Sequence, residues 1–157
     1  MSTSRATAGP LGFTLIEILI AIAIVGVLTT IGMQSYANYR ERMRVNQAEM
    51  DISVMSVVIM SYIQDTSSPP DSLAQVNAAG KLDPWGQPYE YFNLTDSKGN
   101  GQARKDKNLN PLNSDFDLYS VGKDGMTSSS LMVKTSRDDV IRANDGRFIG
   151  LAKDFDP

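Results

Sequence analysis

The chain has 157 residues, a formal charge of −3, and neither histidine nor cysteine. This is the length of one modest domain, and it excludes imidazole and thiol catalysis, His/Cys zinc sites and disulfides, so any resident metal is expected to be a hard, oxygen-liganded cation such as calcium. Acidic and basic residues are interspersed and leave no electrostatic footprint for nucleic acid, so no nucleic-acid partner is expected.

Residues 1–12 hold one basic residue, Arg5, among small and polar neighbours. From Phe13 to Met33 the chain is apolar apart from Glu17, and as a helix this stretch is about 30 Å long, the thickness of a bilayer's hydrocarbon core. It is longer than the apolar region of a secretory signal peptide, and the small-x-small sequence beyond it, Ser35-Tyr36-Ala37, makes a weak cleavage site. A plain membrane anchor explains the length but leaves Glu17 alone, at a cost of about a few kcal/mol in lipid. Cleavage between Gly12 and Phe13 supplies a partner, because the new α-ammonium lies one helical turn from Glu17. Basic residues are denser after the span, at Arg40, Arg42 and Arg44, than before it; the positive-inside rule reads that asymmetry as the reverse of a cytoplasmic N-terminus.

The run GFTLIEILIAIAIVGVL resembles the class III signal of type IV pilins and type II secretion pseudopilins. The resemblance implies a leader peptide ending at Gly12, removed by a prepilin peptidase that also methylates the new N-terminus at Phe13, and it makes Glu17 the glutamate of assembly. It also implies an inner-membrane precursor with a cytoplasmic N-terminus and a periplasmic head, an assembly platform in that membrane, and a helical homo-oligomer joined by minor pseudopilins.

Beyond the span, Val45, Ala48, Ile52, Met55, Ile59 and Tyr62 recur at helical spacing, so residues 34–65 are expected to continue the helix as an amphipathic segment. The stripe from Val54 to Ile63 reads as core. Thr66-Ser67-Ser68-Pro69-Pro70 stops the helix. A globular head then spans residues 66–157, beginning with a short helix capped by Asp71 or Ser72, running to about Ala79 and ended by Gly80. Strands are predicted over Tyr89–Asn93 and Phe116–Val121, with a third over Arg147–Leu151. The stretch Leu94–Ser114 reads as a long hairpin loop whose basic residues, Lys98, Arg104, Lys105 and Lys107, are solvated or meet a partner. The fold class is therefore α+β, a long N-terminal helix packed on a small antiparallel sheet, as in pilins.

Two runs in the head carry chemistry. DPWGQPYEY, from Asp83 to Tyr91, is a Pro/Gly turn with an apolar anchor, Trp85, leading into a strand. DFDLYSVGKDG, from Asp115 to Gly125, places Asp115 and Asp117 two residues apart and Asp124 at a following turn. Taken alone the acidic cluster reads as a solvated turn, and its spacing is not an EF-hand. A membrane-tethered hydrolase using Asp115 and Asp117 is the enzymatic alternative, but nothing here indicates its pocket, and no enzyme activity is expected.

Both runs are similar to segments of the major pseudopilin of type II secretion, the G family. That resemblance implies a structural calcium ion with Asp117 and Asp124 as ligands, carbonyls near Leu112 to Asp115, and a further carboxylate from Asp115, Asp138 or Asp139. It makes the expected function that of a structural subunit of a secretion pseudopilus. The alternative is a major or minor type IV pilin of an extracellular filament.

Overall fold

A computed structural model of the chain describes residues 12–95 and 102–157. The expected leader before Gly12 and the loop residue Lys98 lie outside the described residues.

Helix α1 runs from Leu15 to Thr66 as one element of 52 residues. Its stop is where the proline pair places it. Ser67 turns out of the helix with a φ of 61°, and its N–H closes the last turn on the Ile63 carbonyl at 2.7 Å.

The chain divides between Arg40 and Glu41 into two compact units. In the first, every described residue from Gly12 to Asn38 is exposed, and the helix is long and apolar enough to cross a membrane. The hydroxyls of Thr29 and Thr30 are satisfied without water: Thr29 donates to the Val25 carbonyl at 2.7 Å and Thr30 to that of Gly26 at 2.9 Å, which is how a hydroxyl is accommodated in an apolar span.

In the second unit, residues 41–66 of α1 pack on a four-stranded antiparallel sheet of order β1-β2-β3-β4, with β1 Glu90–Asn93, β2 Phe116–Ser120, β3 Val140–Ala143 and β4 Phe148–Leu151. The α+β, pilin-like class read from the sequence is borne out. Of the predicted stripe, Ala48, Ile52, Met55 and Ile59 are buried against Tyr89, Phe116, Leu118 and Val140. The wider run from Val54 to Ile63 is only partly core, because Val54, Val57, Val58 and Met60 point outward.

Strand β3 has no counterpart among the expected strands. Val140-Ile141-Arg142-Ala143 is buried at every position, so it lacks the alternation by which a half-buried strand is recognised. Burial on both faces follows from a second core layer, in which Leu112, Leu131, Ile141, Ala143 and Ala152 cluster on the face away from α1.

That layer corrects the reading of Leu94–Ser114. The segment joins β1 to β2 as expected of a hairpin connection, but Ala103, Arg104, Asp106, Leu112 and Asn113 are buried. Lys105 forms isolated bridges with Pro111 and Ser130. Arg104 is neither solvated nor offered to a partner, whereas Lys107 is exposed and pairs with Asp156 at 2.8 Å.

The short helix after the prolines is a single 3₁₀ turn, Leu73–Val76, and Ser72 makes no side-chain cap bond. It ends at Asn77, in the left-handed region with φ 54°, three residues before Gly80. Asparagine tolerates that conformation and ends the turn first.

Candidate functional site

At the start of α1, Thr14 is the last residue before the helix and Glu17 lies in its first turn. The Glu17 carboxylate accepts from the Thr14 N–H and from the Thr14 hydroxyl, both at 2.8 Å, and the Glu17 N–H donates to Thr14 Oγ1 at 3.3 Å. This is a reciprocal capping box. Within the uncleaved chain the partner of Glu17 is therefore Thr14, and the threonine-x-x-glutamate spacing is the local signal for it. Gly12 and Phe13 precede the helix and are exposed.

In the head, the turn from Asp83 to Tyr89 is organised by its first residue. Asp83 is buried and its Oδ1 accepts from the Trp85 and Gln87 backbone N–H groups at 3.0 and 2.8 Å. The Ser120 hydroxyl donates to its Oδ2. Trp85 then donates its indole N–H to Glu41 at 3.0 Å, so the run serves as a clasp between α1 and β2. Asp51 on α1 accepts from Lys81, Tyr89 and Gln47. Burial opposes its ionisation, yet these donors together hold its carboxyl below the usual value.

The expected calcium ligands do not converge, and no group of three or more carboxylates able to hold a metal occurs among the described residues. Asp115 forms a fork with Arg142, at 2.8 Å to Nη1 and 2.7 Å to Nη2. Asp117 accepts from the Arg104 backbone N–H at 2.7 Å and from Asn113 Nδ2 at 2.8 Å. Asp124 is exposed and accepts from the Met126 N–H of its own turn at 2.8 Å. Asp138 receives the N–H groups of Lys123 and Asp124 at 3.1 and 3.2 Å, and Asp139 pairs with Arg104 at 2.6 Å.

Two of these carboxylates, Asp117 and Asp139, meet the same residue, Arg104, the first at its backbone N–H and the second at its guanidinium. Burial raises the carboxyls of both, with the Arg104 charge acting in the opposite sense. No local signal in the sequence nominates Arg104, which meets Asp139 across 35 residues.

The fold and the helix start define a pilin-like protein carrying the prokaryotic N-terminal methylation motif, whose family model matches residues 11–33. Over most of its length the chain is similar to proteins named type II secretion system core protein G. It is 26% identical to that of Pseudomonas aeruginosa, over 76% of this chain and 87% of the relative. It is 28% identical to that of Xanthomonas campestris pv. campestris, over 83% and 90%. A type IV major fimbrial protein of Dichelobacter nodosus is 37% identical over 34% of this chain and 35% of its own. No solved structure matches. The resemblance to pilins and pseudopilins read from the sequence is borne out, and a single apolar N-terminal helix fits a membrane-anchored, single-pass protein.

Proposed function

We propose that the chain is a structural subunit of a type II secretion pseudopilus. The observation that carries this reading is coverage. The secretion core proteins match 76–83% of the chain, head included, whereas the fimbrial proteins match 33–46% of it. An extracellular type IV pilus is the weaker reading for that reason.

In this account the precursor rests in the inner membrane through residues 13–33, with its N-terminus cytoplasmic and its head periplasmic. A prepilin peptidase cuts between Gly12 and Phe13 and methylates Phe13. The capping box supports a change of partner at Glu17 on processing. Before cleavage Glu17 is satisfied by Thr14, which lowers the cost of holding a carboxylate in lipid. After cleavage an α-ammonium stands one turn away, on the same or a neighbouring subunit, and a charged donor competes with two neutral ones. A buried pair of this kind sets axial register more securely than it adds stability.

The apolar first half of α1 then buries against copies of itself in a helical filament, joined by minor pseudopilins and extended by an inner-membrane platform. Catalysis is not required of the subunit. The test is fibre yield with the Glu17→Ala variant in a reconstituted secretion system: a processed, inserted but poorly assembling protein is expected, and wild-type yield defeats the pairing account.

A further inference from the structure

We infer that Arg104 is the built-in tie of the head, its guanidinium holding Asp139 and its backbone N–H holding Asp117, so that the head keeps its fold without the divalent ion that the sequence resemblance implies. The Arg104 side chain is 3% exposed and that of Asp139 is fully buried. Arg104 Nη2 donates to Asp139 Oδ2 and Nη1 to Thr127 Oγ1, each at 2.6 Å, and Thr127 donates in turn to the same Asp139 oxygen at 2.6 Å. The Arg104 backbone N–H holds Asp117, and the guanidinium carbon lies 4.1 Å from the centre of the Tyr119 ring. A planar, delocalised cation suits this slot, since one face stacks while the edge donates.

Oxygen supply points the same way. Calcium gathers about six to eight oxygens. Both carboxylate oxygens of Asp117 and both of Asp115 already accept from protein donors, and the carbonyls of Leu112 and Asp115 accept from Asn144 and Leu94. Among the described buried carboxylate oxygens only Asp139 Oδ1 lacks a donor. A calcium ion placed there stands against a buried guanidinium, a repulsion the low-dielectric interior amplifies.

The arginine also performs the mechanical task of a structural metal. It ties the loop after β1 to Asp117 on β2, to Thr127 and to the residue just before β3, closing segments separated by 13, 23 and 35 positions. The inference goes beyond the secretion reading and does not depend on it.

The test is thermal unfolding of the full chain in detergent micelles, in EGTA and in millimolar calcium chloride, with titration calorimetry using calcium alone. The two melting midpoints are expected to coincide and the calorimeter to register no saturable binding. A specific site filled at about a hundredfold over its Kd raises the midpoint by several degrees, and such a shift overturns the inference. Arg104→Ala is expected to melt lower by more than about 10 °C in both buffers. Should that variant not accumulate, Arg104→Lys, which keeps the charge but loses the fork and the stacking, is expected to melt measurably below wild type. Either variant melting as wild type also overturns it.

Discussion

The Tyr89 hydroxyl donates to Asp51 Oδ2 at 2.9 Å, joining the residue that leads into β1 to the packed second half of α1 across 38 positions. Lys81 reaches the other oxygen of the same carboxylate at 3.0 Å. Asp51 is therefore the polar counterpart of the apolar stripe formed nearby on the helix by Ala48, Ile52 and Met55, and it sets where the turn after the prolines lies along the helix.

Asp51 makes stability depend on acid. Its folded-state pKa is lowered relative to the ordinary value of about 3.9, so its contribution is fully present above about pH 4 and is lost as pH falls through the folded-state value. Asp51→Asn is expected to cost about 1 kcal/mol at neutral pH and to flatten the acid limb of the stability curve. Denaturant midpoints from pH 7 down to pH 3 measure both, and an unchanged acid limb counts against the role of Asp51.

Gly122 sits at φ +70°, and a Cβ added there meets the Asp138 carbonyl oxygen at 2.4 Å. Both faults fall on backbone, which cannot rotate aside as a flexible side chain does. Gly122→Ala is expected to lose about 2 kcal/mol or more, whereas Gly80→Ala, with φ +72° but open space around it, is expected to lose only the conformational part. Urea unfolding of the two variants side by side tests the difference.

The stripe on α1 is read by contrast. Ile52 is fully buried while Val57, on the same helix, is 67% exposed. Ile52→Ala is expected to destabilise the head by about 2–5 kcal/mol and Val57→Ala by no more than about 0.5 kcal/mol. Equal losses in thermal unfolding would mean that the packed face of α1 is misassigned.

Processing is tested at Gly12. A bulky residue there is expected to block removal of the leader by a prepilin peptidase, seen as the precursor mass of membrane-extracted protein. Thr14→Val, which removes the hydroxyl half of the capping box, is expected to leave cleavage intact while loosening the first turn of the helix, seen as faster amide exchange at residues 15–18. Protection equal to wild type would show that the box does not hold that turn.

The two kinds of information divide along the range of the interactions. The apolar run with one glutamate, the proline pair that stops α1, the stripe at Ala48, Ile52, Met55 and Ile59, and three of four strands are legible because each is written in neighbouring residues by propensity or period. The threonine-x-x-glutamate cap is equally local, and it is masked only because a carboxylate in an apolar run suggests a charged partner first. β3 is hidden because a strand buried on both faces loses its alternation, and that burial is decided by residues 103–113 folding back over the sheet. The acidic cluster shows the limit most plainly. Asp115, Asp117 and Asp139 are visible as carboxylates in any reading, but which donor each one meets depends on Arg104 and Arg142 arriving from distant loops and strands. Charge type is a property of the chain, whereas pairing is a property of the packed interior, where a desolvated carboxylate is stable only beside whatever donor the tertiary fold delivers.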